Sequence, residues 1–282
     1  MIVQQHAEGK LPLTSDGELS IYFIGSGSAF TKSMNQNNVL VTKGEQHLLI
    51  DFGTKCPQAL FEQGVAVADL HNFLITHSHA DHIGGLEEVM MVNRYVTRRK
   101  PRMIINEAYE DILWHHSLRG GAAYSELRDG QPLGFEDFWE PLRPQPLADM
   151  PRETWHYRMG GLDIKMPRTM HFPDNAQSWL DSFWSCGVIL DERILFTSDT
   201  RFDPELLQSF DERYNFEVIF HDCQFFTGGV HASFDELSTL PEALKRKMLL
   251  MHYPDNWEQL KPRVSEEGFL GFVHQGFSYR FD

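Results

Sequence analysis

Three imidazoles and a carboxylate crowd the stretch Ile75-Thr76-His77-Ser78-His79-Ala80-Asp81-His82-Ile83-Gly84-Gly85. Side chains packed this closely match no apolar face of a helix or strand. Neutral imidazole and carboxylate are, however, the ligands that borderline divalent metals take. The apolar run Phe73-Leu74-Ile75 leads in like a buried strand, and Ile83-Gly84-Gly85-Leu86 leads out into a helical pattern. The sequence therefore predicts a strand-to-helix turn that carries His77, His79, Asp81 and His82. A solvated, His-rich loop is the plainer alternative. One turn cannot surround an ion, and three later residues fit as further ligands. Asp199 follows Ile194-Leu195-Phe196-Thr197 and His252 follows Met248-Leu249-Leu250-Met251, each just past a short apolar run of the kind that ends a buried strand. His171 has a less apolar approach, Met166-Pro167-Arg168-Thr169-Met170. Taken singly, each of the three has an ordinary structural reading.

The elements that must position these residues alternate along the chain. Residues 19–53 read as strands with Gly turns. Pro57 to Gly64 reads as a short helix, with Pro in its first turn and Gly as its stop. The motif strand follows, then a helix from about Ile83 to Tyr95. Residues 107–157 differ in composition: they hold Trp114, Trp139 and Trp155, the pair His115-His116, and Pro141-Leu142-Arg143-Pro144-Gln145-Pro146. They read as an insertion of a helix and long loops, serving as a lid or a dimer contact. His115 and His116 lack a third nearby ligand and read as helix-surface residues. Beyond Gly161, Leu162 to Met166 alternates as a strand. Ser185 to Leu190 and Ile194 to Thr197 form a hairpin pattern around Asp191-Glu192-Arg193. Periodicity supports a mixed α/β class and no more.

Composition narrows the function. Lys and Arg number 25 against 40 Asp and Glu, a formal charge of −15. Binding a long phosphate backbone relies on Lys and Arg that release counterions, so long nucleic acid is not the expected partner. The basic stretch Arg94 to Arg102 reads first as a solvated helix end, where positive charge meets the helix dipole. No apolar run approaches the ~20 residues of a membrane span, and residues 1–17 lack the apolar core of a signal peptide. Cys56, Cys186 and Cys223 are scattered and read as buried free thiols. A cytoplasmic protein is expected.

With these residues in view, the chain resembles the metallo-β-lactamase superfamily, and within it the ribonuclease Z-like and cyclic-nucleotide phosphodiesterase branch. Tyr22-Phe23-Ile24-Gly25-Ser26-Gly27-Ser28-Ala29-Phe30-Thr31 is similar to the opening strand and Gly-Ser turn. Asn37-Asn38 falls where that branch carries a polar Asn, and Leu48-Leu49-Ile50-Asp51-Phe52-Gly53 is similar to the second-strand DxG element. His77, His79, Asp81 and His82 match HxHxDH, while His171, Asp199 and His252 match the remaining ligand motifs. His221-Asp222 and His231-Ala232-Ser233 resemble the His-acid and His-Ser pairs that precede the last ligand.

The resemblance implies an αββα sandwich over residues 1–282 as a single domain, and a homodimer is expected. It implies two divalent metal ions, zinc or manganese: one on His77, His79 and His171, the other on Asp81, His82 and His252, with Asp199 bridging. Asp81, His231 and Asp222 are the catalytic candidates. A metal-bridging hydroxide would attack phosphorus, and His231 would protonate the leaving oxygen with Asp222 fixing its ring. His221 and Asp51 would support the site from behind, and no substrate-binding residue is assigned. Phe225 and Phe226 could stack a base, although core packing is the commoner fate of such a pair. The expected substrate is a small phosphodiester, foremost a cyclic nucleotide. The long basic tRNA-clamping arm of ribonuclease Z has no counterpart here. A tRNA 3′ endonuclease, a lactone or thioester hydrolase, and more distantly a di-iron redox protein remain the alternatives.

Overall fold

Leu48-Leu49-Ile50 and Phe73-Leu74 offer no polar face, as parallel strands covered on both sides require. In the computed structural model, which describes residues 1–7 and 9–282, both segments are buried strands. The chain divides into two compact units, residues 1–25, 35–144 and 276–282, and residues 26–34 and 145–275.

Among the described residues, each unit holds one eight-stranded sheet. The first runs in the order Ile2–Gln5, Phe277–Phe281, Leu19–Phe23, Val39–Lys43, Gln46–Ile50, Asn72–Leu74, Arg102–Ile104 and Glu140–Leu142. Its pairings are antiparallel as far as Gln46–Ile50 and parallel beyond. The second runs Gln145–Pro146, Thr154–Met159, Leu162–Pro167, Val188–Leu190, Ile194–Phe196, Val218–Asp222, Met248–Met251 and Gly271–Phe272. It too is antiparallel as far as Ile194–Phe196 and parallel beyond. Both sheets thus follow one plan. The antiparallel half includes tight hairpins such as Val39–Lys43 with Gln46–Ile50 and Thr154–Met159 with Leu162–Pro167, and helical crossovers such as Cys56–Glu62, Leu86–Val92 and Pro204–Tyr214 build the parallel half. In such sheets, sites form outside the carboxyl ends of the parallel strands; Asp51, the HxHxDH residues, Asp199, Asp222 and His252 fall there, while His171 follows the antiparallel strand Leu162–Pro167.

Several local expectations can be matched to elements. The short helix is Cys56–Glu62, with Pro57 in its first turn and Gly64 beyond it at φ +72°. The hairpin turn has Asp191 and Glu192 in the left-handed region, at φ 53° and 60°, and Arg193 N–H donates to the Leu190 carbonyl at 3.0 Å. All three cysteines are buried and free.

Residues 107–157 contain the expected helix, Glu107–Leu113, capped by Asn106, whose side chain accepts the Tyr109 N–H at 2.8 Å. The Pro-rich stretch read as loop is edge strand instead. Glu140–Leu142 closes one border of the first sheet and Gln145–Pro146 one border of the second. A proline costs little there, because its missing N–H would have faced no partner. Trp114 and Trp139 are buried in the first unit's core, against Phe138 and Phe73 respectively. His115 and His116 are exposed on the helical turn that follows.

Candidate metal centre

In the first unit the site begins at Asp51, the residue after strand Gln46–Ile50. Its backbone turns into the left-handed region at φ 65°, which the short Asp side chain tolerates. The carboxylate is fully buried and collects three donors. Thr76 N–H donates to Oδ1 at 2.8 Å, Thr76 O–H reaches Oδ2 at 2.8 Å, and His82 Nδ1–H donates to Oδ2 at 2.7 Å. Burial pushes the Asp51 carboxyl up, and His82 and Thr76 pull it back in part. A carboxylate only accepts when ionised, so it holds the His82 proton on Nδ1 and leaves the lone pair on Nε2. Thr76 acts twice. Having given its proton to Asp51, its oxygen accepts His77 Nδ1–H at 3.1 Å, so the His77 lone pair also sits on Nε2.

The four motif residues converge. His77 Nε2 stands 3.1 Å from His79 Nδ1, and His82 Nε2 stands 3.2 Å from Asp81 Oδ2. Two ligand atoms on one tetrahedral ion at ~2.1 Å are themselves ~3.4 Å apart. The donor types and their spacing therefore suit a divalent metal. The support beneath is tight: Asn38 donates to the Asp81 carbonyl at 2.9 Å and accepts the Gly53 N–H at 2.6 Å. A Cβ added at Gly53 would lie 1.9 Å from the Asp81 carbonyl oxygen, so no other residue fits there unless the motif helix moves.

In the second unit, Asp199 lies past strand Ile194–Phe196 and His252 directly after Met248–Met251. Ser198 and His252 both take left-handed backbone, at φ 53° and 54°. Such conformations in non-glycine residues cluster at functional sites, where surrounding structure enforces them. His252 Nε2 is 3.3 Å from Asp199 Oδ2, and His171 Nε2 is 3.9 Å from the same oxygen. His171 donates Nδ1–H to the Val230 carbonyl at 2.7 Å, which again frees Nε2. Within this unit the spacing also suits a divalent ion.

His231 and Asp222 sit beside this group. His231 Nδ1–H donates to Asp222 Oδ2 at 2.9 Å and lies 3.8 Å from Asp199 Oδ2. The His231 side chain keeps 21% of its surface exposed, while Asp222 has none. Burial pushes the Asp222 carboxyl up, but the hydrogen bonds and charges of His221 and His231 outweigh it and hold it below the usual range. His221 is fully buried and donates Nδ1–H to the Asp222 carbonyl oxygen at 2.7 Å. Phe226 is 66% exposed and Phe225 packs edge-on to Phe272. Arg94, from the basic stretch, is paired with Glu126 and lies over Phe138.

Thr76, the Val230 carbonyl and the Thr200 N–H, which donates to Asp222 Oδ2 at 3.3 Å, escaped the sequence reading. Two of the three contribute backbone atoms, which no residue type announces. Thr76 could have been noticed, because a buried hydroxyl beside a ligand His calls for a partner.

Comparison with solved structures defines the class. The metallo-β-lactamase fold protein YhfI from Bacillus subtilis superposes with a TM-score of 0.66 at 15% identity, covering 94% of this chain and 100% of that one. The fold is the metallo-β-lactamase fold. The chain belongs to the family described as Anti-Pycsar protein Apyc1, whose profile matches residues 19–279. An Anti-Pycsar protein Apyc1 of Paenibacillus harenae is 37% identical over 247 residues, 87% of this chain and 94% of that protein. Another, of Bacillus phage BSP38, is 36% identical over 266 residues, 92% of this chain and 97% of its own length. Among the described residues, no helix is long and apolar enough to cross a membrane.

Proposed function

We propose that the protein is a dinuclear-metal phosphodiesterase that hydrolyses a cyclic nucleotide. His77, His79 and His171 would hold one ion, Asp81, His82 and His252 the other, and Asp199 both. When bound, such a pair supplies charge that polarises the phosphoryl oxygens and brings the pKa of water toward neutrality. The protein's own residues do the rest. Asp51, Thr76 and the Val230 carbonyl keep the imidazole protons on Nδ1, so that His82, His77 and His171 present Nε2 lone pairs. His231 holds its Nδ1–H on Asp222 and turns Nε2–H outward. As the bond from phosphorus to the ribose oxygen breaks, Nε2 gives its proton to that oxygen. A proton from the consumed water restores the ring.

The observation that carries the reading is the His231–Asp222 pair, at 2.9 Å, beside Asp199. Expulsion of an alkoxide from phosphorus needs a proton donor worth ~10²–10⁴-fold, whereas a thioester hydrolase expels a stable thiolate and needs none. The charge of −15 argues for a small substrate over long RNA. Zinc or manganese, a cytoplasmic setting and a homodimer complete the proposal. The exposed Tyr124 and Leu127 within residues 107–157 suit a contact with a second copy.

A substrate panel tests it: cyclic mononucleotides, cyclic dinucleotides, bis(p-nitrophenyl) phosphate, precursor tRNA and lactones. Cyclic nucleotides should be hydrolysed readily, and long RNA should neither be cut nor inhibit. Efficient 3′-end cleavage of precursor tRNA with no turnover of cyclic nucleotides would refute the proposal.

A further inference from the structure

One loop carries both Val230, whose carbonyl fixes the His171 proton, and His231, the proposed proton donor. It leaves strand Val218–Asp222, runs out through Gly228 and Gly229, both left-handed at φ 92° and 91°, and returns at Ser233. Ser233 caps the next helix, Phe234–Ser238. Glycines give such a loop no stiffness of their own. Other contacts must hold its tip within the roughly 0.5 Å that a catalytic group tolerates.

That role falls to Gln224. Its backbone closes the base of the loop: its N–H donates to the Ala232 carbonyl at 2.9 Å and its carbonyl accepts the Phe234 N–H at 2.9 Å. Its side chain, 7% exposed, then turns into the loop. The single amide nitrogen Nε2 donates to the Phe226 carbonyl at 2.8 Å and, by a short contact, to the Gly228 carbonyl. An amide group has two N–H donors, and both are used on the glycine-rich backbone between the Thr227–Ser233 contact and the His171–Val230 hydrogen bond. On the far limb, Ala232 N–H donates to the Thr200 carbonyl at 3.0 Å, which pins the residue after His231. The near limb, from Phe226 to Val230, has the Gln224 amide as its internal brace.

We propose that Gln224 is a positioning residue, which acts through the loop to hold His231 against Asp222 in proton-donating geometry. The inference rests on the general-acid reading of His231. Gln224 touches neither the substrate nor the reacting atoms; its loss also loosens Val230 beneath His171, so with the metal sites kept saturated the remaining effect should appear where the acid matters. Gln224→Met keeps the length and bulk of the side chain and removes both donors. The freed carbonyls of Phe226 and Gly228 belong to exposed residues, and loss of the two hydrogen bonds should cost about 0.5–1.5 kcal/mol each.

The test compares Gln224→Met, His231→Ala and the double variant with two substrates at saturating divalent metal. A cyclic mononucleotide expels an alkoxide and needs the acid, while bis(p-nitrophenyl) phosphate expels a stabilised phenolate and scarcely does. Gln224→Met should slow the cyclic nucleotide at least about tenfold, within the ~10²–10⁴-fold a positioned acid supplies. It should leave the activated ester within about threefold, which also shows that the variant folds. Added to His231→Ala it should cause no further loss, since a brace is idle once the acid is gone. A proton spectrum supplies a readout apart from activity: the exchange-protected His231 Nδ1–H resonance should broaden or vanish in Gln224→Met. Equal slowing of both substrates, no slowing, or full additivity with His231→Ala would overturn the inference. If His231→Ala itself slowed both substrates equally, the acid assignment would fall and the role of Gln224 with it.

Discussion

Asp51→Asn separates the orientation of a ligand from the ligand itself. The native carboxylate serves three buried donors, Thr76 N–H, Thr76 O–H and His82 Nδ1–H, at 2.8, 2.8 and 2.7 Å. An amide of the same shape offers one acceptor oxygen. With that oxygen on Thr76, the NH₂ group faces His82 Nδ1, which can accept only by giving up its proton. The ring then carries its proton on Nε2, the atom proposed to meet the metal. One mismatched buried contact costs about 1–3 kcal/mol of stability. Loss of an outer partner of a ligand His lowers metal affinity roughly 10–100-fold, which is about 1.4–2.8 kcal/mol. The backbone contributes little, because Asn enters the left-handed region that Asp51 occupies almost as readily as Asp. Asp51→Ala is the contrasting case, and adds roughly 1–2 kcal/mol of strain at that φ. Chelator competition gives the affinity, and thermal melts with and without metal separate it from stability of the metal-free fold. The expected result is weaker binding by Asp51→Asn with a smaller rise in Tm on adding metal. Unchanged affinity in a variant whose metal-free stability has dropped would refute the role assigned to Asp51.

Further outcomes follow from other contacts. Burial, with the charges of His71 and Arg102, holds the His47 ring down to about 4, so it is neutral in the fold and accepts the His71 N–H at 3.0 Å. The unfolded ring takes its proton near 6.5, so stability should fall as pH drops from about 6.5 to about 4, by at most about 3–4 kcal/mol, and then level off. Urea midpoints at pH 7 and 5 measure this, and His47→Gln should flatten the slope in that window. Gly53→Ala drives a methyl into the Asp81 carbonyl and should cost at least the ~1–3 kcal/mol of overpacking, with metal lost as well. Metal analysis of the purified variant checks it, and a fully loaded, stable Gly53→Ala would contradict the packing argument. Asp199→Ala should lower the number of ions bound per chain, and two ions at undiminished affinity would remove Asp199 from the ligand set.

The HxHxDH motif was legible because its donors are neighbours in sequence and no apolar face could account for them. The parallel strands were legible for the opposite reason: Leu48-Leu49-Ile50 and Phe73-Leu74-Ile75 are apolar on both faces, and only double-sided burial explains that. His171, Asp199 and His252 were weaker signals, readable chiefly through resemblance to a family, since more than 90 residues separate Asp81 from Asp199.

What the sequence by itself determined was the type of chemistry, the mixed α/β class and the strands at whose ends the donors stand. Tertiary structure alone decided which nitrogen of each imidazole keeps its proton. That choice rests on Asp51 for His82, on the Thr76 oxygen for His77 and on the Val230 carbonyl for His171. Tertiary structure also turned the Pro-rich run at 141–146 into sheet edges, and drew Trp114 and Trp139 from an expected surface insertion into the core. The physical reason is common to all of these. A residue's type states what it can donate, accept or bury, but its partner is set by contacts between distant segments, and a backbone carbonyl such as that of Val230 has no letter in the sequence to mark it.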